Sequence, residues 1–163
     1  MTVEKIYWDS DCFLGHFQAE AGKAEKCDGV LQRAERGEVL IVTSALTLAE
    51  VLWMRGGPRL PIAKAELVQK FFRRSYIRVY NVTRKISESA QLIVWEGGIK
   101  PKDAIHVATA IDLGVTALET FDNGLIGKSG KVGEPLLLIR EPQSAAQGRL
   151  NLARSPEDTA RPV

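Results

Sequence analysis

The sequence predicts an α/β protein built on a parallel β-sheet. Short runs of β-branched and aromatic residues alternate along the chain with longer segments of helical composition, and this alternation is typical of βαβ units. The length of 163 residues fits one domain, and a composition of 45% hydrophobic and 26% charged residues supports an ordinary folded core.

The first elements are a strand, a helix and a second strand. Residues 3–8 are β-branched and aromatic and end at the polar sequence Asp9-Ser10-Asp11, which predicts a buried strand. Residues 21–36 are rich in Ala, Glu, Lys and Arg, and this composition predicts a helix that ends at Gly37. The second strand is predicted at residues 39–42.

The middle of the chain continues the alternation. Thr43 or Ser44 is placed to cap a helix that is predicted to run to about Arg55, just before a Gly-Gly-Pro sequence. Residues 62–74 predict a further helix, and residues 77–80 predict the third strand.

The last elements complete five strands. Thr83 is placed to cap a helix that ends at Gly97-Gly98. The next helix is predicted at residues 101–113, because it begins with proline, which suits the first helical position. Residues 115–118 and 135–139 predict the remaining strands.

Residues 1–140 are therefore expected to form the folded domain. From about Glu141 to Val163 the apolar periodicity stops, and Gln, Arg, Ser, Pro, Ala and Asp dominate. This composition predicts a C-terminal tail, residues 141–163, that is disordered in isolation.

Charge, cysteine content and hydropathy exclude several classes of protein. The formal net charge of +2 gives no overall basic signature, so any nucleic-acid binding requires a local basic patch. Cys12 and Cys27 form neither a metal motif nor a disulfide framework and fit the reducing cytoplasm. The sequence starts without the apolar stretch of a signal peptide, and no segment is apolar for long enough to span a bilayer. A cytoplasmic protein without membrane association is expected.

Four acidic residues, far apart in sequence, lie at the ends of predicted strands or the starts of predicted helices. They are Asp9, Glu50, Asp103 and Asp122. In an α/β chain such positions can converge at one edge of a parallel sheet, where ligands commonly bind. Clustered carboxylates resist joint ionisation unless a cation neutralises them, and Mg²⁺ and Mn²⁺ prefer such oxygen ligands. The pattern indicates metal-dependent phosphodiester chemistry.

Each acid also has a purely structural explanation. Asp9 is placed to cap a helical turn, and Glu50, inside a mostly apolar stretch, would ordinarily lie on the solvated face of its helix. Asp103 complements the dipole of its helix, and Asp122 belongs to an Asp-Asn-Gly turn. The helix that Asp103 begins is nevertheless nearly all small or apolar, which makes its first turn a candidate site.

Four polar residues lie close to these acids in the sequence. Ser10 and Thr120 are candidates to orient a water or a phosphate by hydrogen bonds. Asp11 is interpreted as acting on a cation through water or a neighbouring residue, with a further direct ligand and a solvated turn residue as the alternatives. His106 lies one turn after Asp103 on the same side of the helix, although a lone histidine is more often packed than functional.

Taken together, these segments resemble the PIN-domain ribonucleases, most closely the VapC-type toxins of bacterial and archaeal toxin–antitoxin pairs. The sequence Asp103-Ala104-Ile105-His106-Val107-Ala108-Thr109-Ala110 resembles the family's Ala-rich third-acid helix. Asp9-Ser10 resembles the first-acid motif, Glu50 in Leu46-Thr47-Leu48-Ala49-Glu50-Val51 the second, and Thr120-Phe121-Asp122 the Thr-x-Asp motif. The resemblance covers residues 3–139, and four motifs in order are more specific than any one alone. Asp11 departs from it, since the family often has a small polar residue there.

The resemblance implies a three-layer α/β/α sandwich around a central parallel sheet of about five strands, with Asp9 on the central strand. It implies hydrolysis of RNA (tRNA, rRNA or mRNA) to a 5′-phosphate and a 3′-hydroxyl at a Mg²⁺ or Mn²⁺ site formed by the four acids. Asp9 and Asp103 are the expected direct ligands, and Glu50 and Asp122 are expected to bind directly or through water. A homodimer and a neutralising antitoxin are the implied protein partners, and a helical hairpin at residues 46–74 is the implied antitoxin site.

An acidic centre that acts on RNA also needs cationic contacts with the phosphate backbone. Lys100 and Lys102 lie beside Asp103, and Arg55 and Arg59 flank the Gly-Gly-Pro loop. The two lysines have the better geometric case, although each of the four residues also fits a solvated surface charge.

Two other functions remain open at the level of the sequence. Asp9-Ser10-Asp11 after a strand resembles the nucleophile motif of haloacid-dehalogenase-type phosphatases, but no convincing late acidic pair follows a strand, and Asp103 has no role there. A PIN-like module that binds a partner without catalysis is the second alternative. A P-loop is set aside, because Gly127-Lys128-Ser129 has Asp122 where the first glycine is required.

Overall fold

A computed structural model describes residues 2–53 and 56–144 of the chain. It contains a five-stranded sheet whose strands are β1 (Glu4–Trp8), β2 (Val39–Ser44), β3 (Ile77–Tyr80), β4 (Ala117–Glu119) and β5 (Ile139–Arg140). The strand order is β3-β2-β1-β4-β5, and every neighbouring pair is parallel. The predicted parallel sheet is confirmed, and β1 lies at its centre.

Seven helices in the described residues connect and cover the strands. They are α1 (Ser10–Phe17), α2 (Ala24–Glu35), α3 (Ala45–Glu50), α4 (Ile62–Phe72), α5 (Arg84–Gly97), α6 (Pro101–Asp112) and α7 (Asn123–Ile126). None of these helices is both long and apolar enough to cross a membrane.

The helices form two layers, because side chains of the buried strands alternate between the two faces of the sheet. Ile6 and Trp8 of β1 face a core formed with α1, α2 and α4, which includes Phe13 and Phe72. Tyr7 faces the opposite core, which is formed mainly with α5 and α6. The arrangement confirms the predicted α/β/α sandwich.

Several helix boundaries follow from the capping residues that the sequence predicts. The Thr83 hydroxyl accepts a hydrogen bond from the N–H of Ile86 at the start of α5, and Gly98 ends that helix with a φ of 61°. Ser44 caps α3 by accepting from the N–H of Leu46, 3.1 Å away. Pro101 is the first residue of α6, as predicted.

Several elements differ from the prediction; β4, for example, begins at Ala117 rather than at residue 115. The α1 helix was not predicted; its Cys12, Phe13 and Leu14 are buried, so packing against the sheet stabilises it. The α3 helix ends at Glu50 rather than near Arg55. The last strand is restricted to Ile139–Arg140, because the N–H of Leu137 donates to the carbonyl of Val132 inside the preceding loop.

The chain after β5 continues across helix α2. Lys26 forms an ion pair with Glu141, and Ser144 packs so closely over Gly29 that a side chain at this glycine would overlap it. Residues 145–163, most of the predicted tail, lie outside the described residues.

Candidate active site

Asp9 lies directly after the central strand and is 4% exposed. Its Oδ1 accepts hydrogen bonds from the N–H groups of Asp11 (3.0 Å) and Cys12 (3.3 Å), so it caps helix α1. Asp9 therefore does cap a helix, as its structural explanation predicts. The same geometry fixes the carboxyl group at the carboxyl edge of the sheet, where parallel α/β folds bind ligands.

Glu50 is the last residue of α3 and is held by a histidine from another helix. Its Oε1 lies 2.6 Å from Nε2 of His106, which is 2% exposed. The other ring nitrogen, Nδ1, lies 2.6 Å from the hydroxyl of Tyr7, on the central strand. Glu50 thus points towards α6 rather than away from the protein, contrary to its structural explanation as an acid on a solvated helix face.

Asp103 and Asp122 lie at the starts of two further helices. Asp103 is in the first turn of α6 and is partly buried. Asp122 caps α7, where its Oδ1 accepts from the N–H groups of Gly124 (2.8 Å) and Leu125 (3.2 Å). The hydroxyl of Thr120 accepts from the N–H of Asp122 at 3.1 Å, so both polar residues of the Thr-x-Asp motif are engaged in one turn.

Perturbed pKa values show that these acids interact. Burial, followed by repulsion from Asp11, raises the pKa of Asp9 to about 7, while His106 and a hydrogen bond from Thr120 oppose the shift. Burial also raises the pKa of Asp103, and the next largest cause is repulsion from Asp122. Smaller repulsions on Asp103 come from Asp11 and Glu50. Asp103 is thus coupled to Asp122, Asp11 and Glu50, and Asp9 joins the same cluster through Asp11 and His106.

Two adjacent surface depressions open beside the cluster. One, of about 310 Å³, is lined by Asp103, Asp122, Lys100 and Lys128. The other, of about 450 Å³, is lined by residues from α1, α3 and the first turn of α6: Ser10, Asp11, Glu50 and Lys102 among them. Because consecutive residues, Lys102 and Asp103, line different depressions, the two meet at the start of α6.

The chemistry of the donors fits a hard divalent cation, although the side chains are not drawn together around one point. Carboxylate oxygens are the ligands that Mg²⁺ and Mn²⁺ prefer, and the raised pKa values of Asp9 and Asp103 show that negative charge is disfavoured there, a cost that a proton or a bound cation would remove. In the positions they occupy, however, no three His, Cys, Asp or Glu side chains of the described residues are close enough to share an ion. Binding would therefore require small movements of these side chains.

Sequence reasoning found the acids but missed some of their neighbours. Lys128 was considered only as part of a rejected P-loop, and no local pattern connects it to Asp103. The sequence places His106 on the same side of its helix as Asp103, but nothing in the sequence indicates its contact with Glu50. Arg59 lines a separate depression near Pro58 and Ile62, and Arg55 lies outside the described residues.

Another buried acid, Glu119, lies beneath the site and serves a different purpose. It ends β4, is fully buried, and its Oε2 accepts a hydrogen bond from the indole N–H of Trp8 at 2.8 Å. Its Oε1 faces the guanidinium of Arg140 and the N–H of Gln143, each at 3.4 Å. Burial raises the pKa of Glu119 to about 7. These contacts connect the last strand and the start of the tail to the central strand.

Comparison with known proteins gives one family match. The PIN domain family model matches residues 6–130, well over half of the chain and a range that includes all four acids. A comparison of the sequence with curated proteins gives no significant match.

Several solved structures resemble the fold. A toxin–antitoxin complex from Klebsiella pneumoniae matches with a TM-score of 0.56 and 19% identity, over 85% of this chain and 98% of that chain. VapC20 of Mycobacterium tuberculosis, a toxin that cleaves the sarcin–ricin loop, matches with a TM-score of 0.56 and 19% identity, over 72% and 90% of the two chains. FitAcB of Neisseria gonorrhoeae matches with a TM-score of 0.55 and 17% identity, over 84% and 97%. At these identities the likeness is one of fold.

Proposed function

Because the chain belongs to the PIN domain family, we propose that it is a metal-dependent endoribonuclease that acts as the toxin of a toxin–antitoxin pair. The observation that carries the proposal is the cluster of acids near the carboxyl end of the central strand, in which Asp103 is repelled by Asp122, Asp11 and Glu50 and Asp9 is repelled by Asp11. Such a cluster costs stability unless it binds a cation, which makes a structural role for all four acids a poor explanation.

The four acids would bind Mg²⁺ or Mn²⁺ in two ways. Asp9 and Asp103 are assigned as direct ligands, and Glu50 and Asp122 as ligands that bind directly or through water. When bound, a divalent ion polarises the scissile phosphate and acidifies a water for attack. Thr120 supports this arrangement, since it accepts the N–H of Asp122 and hydrogen-bonds Asp9. Ser10, on the rim of the larger depression, is placed to orient a phosphate oxygen or a water.

RNA would reach the acids along a rim of lysines. Lys100 and Lys128 line one depression and Lys102 lines the other, so cationic groups lie on both sides of Asp103. Because contacts with the backbone supply most of the affinity for RNA, these three side chains are assigned to phosphates that flank the scissile one. The net charge of the chain is only +2, so RNA binding would depend on the local position of these three lysines rather than on an overall positive charge.

An antitoxin partner is supported by apolar surface on α3, α4 and the segment between them. The exposed side chains there include Trp53 (64%), Ile62 (90%) and Leu67 (67%). Ile62 also lines a depression of about 490 Å³, together with Leu52 and Leu60, among others. Apolar grooves of this kind accept an amphipathic helix. We also propose that the protein is a cytoplasmic homodimer, and this part of the proposal is supported by its family alone.

The test is cleavage of total RNA by the purified protein with Mg²⁺ or Mn²⁺, beside EDTA. Discrete, metal-dependent products that vanish in Asp103→Asn and persist in Asp112→Asn support the proposal. Asp112 is a suitable control, because it lies at the other end of the same helix, paired with Lys85. Cleavage that survives in Asp103→Asn removes this acid from the site.

Two outcomes of the same experiment would favour the alternatives. Metal binding by calorimetry without cleavage of any RNA, including the structured loops of rRNA and tRNA, would favour a partner-binding module. Covalent phosphorylation of Asp9 by a phosphate ester would favour the phosphatase. A toxin can act on a single structured RNA, so purified ribosomal RNA and the tRNA fraction are both tested as substrates beside total RNA.

A further inference from the structure

The hydrogen bonds around Glu50 form a chain that starts in the central strand. The N–H of Ser44 lies 3.2 Å from the hydroxyl of Tyr7, that hydroxyl lies 2.6 Å from Nδ1 of His106, and Nε2 of His106 lies 2.6 Å from Oε1 of Glu50. Ser44, Tyr7 and His106 are all buried. This chain connects strands β1 and β2 with helices α3 and α6.

The direction of each hydrogen bond follows from the chemistry of the groups. The carboxylate of Glu50 can only accept, so Nε2 of His106 carries a proton and donates it to Oε1. In a neutral ring Nδ1 is then the acceptor, and it receives the proton of the Tyr7 hydroxyl, whose oxygen accepts from the N–H of Ser44. One carboxylate oxygen of Glu50 is thereby occupied by His106, and the residue lines the depression of about 450 Å³ beside the cluster.

Glu50 needs such an anchor more than the other acids do. Asp9 and Asp122 are held by backbone N–H groups at the starts of helices, whereas Glu50 lies at the end of a six-residue helix. A glutamate also has one more rotatable bond than an aspartate, so more conformations must be excluded to fix its carboxylate. Among the described residues, the hydrogen-bonding partner of that carboxylate is His106.

We propose that His106, oriented by Tyr7, is a positioning residue that fixes the Glu50 carboxylate for cation binding. The proposal rests on the proposed function, because it assigns Glu50 to the metal site. Asp103 and His106 share one face of α6, so a single rigid helix sets both a candidate ligand and the anchor of a second one. Ligating carboxylates are commonly held by such hydrogen bonds, and losing one typically lowers metal affinity or activity by about 10–100-fold.

The first measurement is the affinity of the full-length protein for Mn²⁺ by calorimetry, together with kcat and KM for RNA. His106→Ala is expected to weaken Mn²⁺ binding by about 10–100-fold with KM for RNA unchanged. His106→Gln, whose amide N–H reaches a position near Nε2, is expected to recover most of that loss. Tyr7→Phe keeps the buried ring and removes only the hydroxyl, so it tests the anchor should His106→Ala fail to fold.

The second measurement needs no metal. The chain has two histidines, so a long-range ¹H–¹⁵N spectrum can be assigned with His16→Gln, which alters a half-exposed histidine paired with Asp28 and serves as the matched control. His106 is expected to carry its proton on Nε2 in the wild-type protein and to lose this preference in Tyr7→Phe. A proton on Nδ1 in the wild type would contradict the chain of hydrogen bonds.

The outcomes separate this inference from the function on which it rests. Equal Mn²⁺ affinity of the wild type, His106→Ala and Tyr7→Phe overturns the positioning role while the nuclease proposal stands. A wild-type protein that binds no Mn²⁺ and cleaves no RNA overturns the proposed function, and the assignment of Glu50 as a ligand falls with it. Weaker binding in His106→Ala with recovery in His106→Gln supports both.

Discussion

Replacing Asp9 with asparagine is expected to abolish RNA cleavage and, at the same time, to stabilise the metal-free protein. The fold should survive, because asparagine caps helices about as well as aspartate and can still accept the N–H groups of Asp11 and Cys12. What the substitution removes is a negative charge that is 4% exposed and lies beside another acid.

The size of the effect follows from the raised pKa of Asp9. Its pKa rises from 3.8 to about 7 on folding, so the folded state binds this proton more tightly than the unfolded state. The penalty for the charged form is therefore absent below pH 4, grows between about pH 4 and 7, and is complete above the folded pKa. At about 1.4 kcal/mol for each pKa unit, the full penalty is at most about 4 kcal/mol.

Urea unfolding in EDTA at pH 5 and pH 8 measures this penalty. The free energy of unfolding of Asp9→Asn should exceed that of the wild type at both pH 5 and pH 8, and the difference should be larger at pH 8. Asp112→Asn should not be more stable than the wild type at either pH. Saturating Mg²⁺ should then stabilise the wild type but not Asp9→Asn, by about 2.7 kcal/mol at a hundred times the Kd. An Asp9→Asn protein that is no more stable than the wild type at pH 8 would refute the reasoning.

Three further predictions concern the surroundings of the site. Lys102→Ala and Lys128→Ala should each weaken RNA binding and reduce the slope of log Kd against log salt concentration by about 0.7–1, with little change in kcat at saturating RNA. Glu119→Leu should lower the free energy of unfolding by about 1–3 kcal/mol at pH 5, because it leaves the buried indole N–H on β1 without its acceptor; urea denaturation checks this. Ile62→Asp should reduce antitoxin binding at least tenfold in a pull-down titration against the co-expressed partner, whereas Leu92→Asp, at an exposed apolar position on α5, should not.

Elements governed by local rules were the predictable part of the fold. Thr83 and Gly98 mark the ends of α5, and Pro101 marks the start of α6, because each residue satisfies a backbone requirement that only a few residue types can meet. Residues 77–80 form the third strand, as predicted. The two-layer covering and the central position of β1 follow from the alternation of elements together with the family resemblance, whereas the full order of the strands was not predicted.

Elements that depend on distant contacts were not predictable in this way. The α1 helix contains Gly15, which lowers its intrinsic stability, yet the absence of a side chain there lets the helix lie close to Lys23 and Phe121. Its stability comes from packing that the local sequence does not reveal. The last strand was overestimated for the opposite reason, since an apolar sequence at residues 135–138 forms a loop with its own hydrogen bonds.

The candidate site shows the same division. The four acids were recognisable because each lies in a short sequence context, whereas Tyr7 and Lys128 entered only with the fold. Tyr7 is 99 residues from His106 in sequence, and they hydrogen-bond because the central strand and α6 pack together. Residues that contact a substrate are often marked by local motifs, while the residues that orient them are marked only by three-dimensional contacts.

Clustering these acids lowers the stability of the metal-free protein, and a bound cation would remove this cost. Asp9 and Asp122 each accept N–H groups at the start of a helix, and Asp103 lies in a first turn, so all three have the local interactions that ordinarily lower the pKa of a carboxyl group. The pKa values of Asp9 and Asp103 are raised nevertheless, because burial outweighs those interactions, together with repulsion from Asp11 at Asp9 and from Asp122, Asp11 and Glu50 at Asp103. Acids that served only as helix caps would be more stabilising if they were exposed and well separated. A positive charge bound among them would remove this cost, which is the physical argument for the proposed cation site.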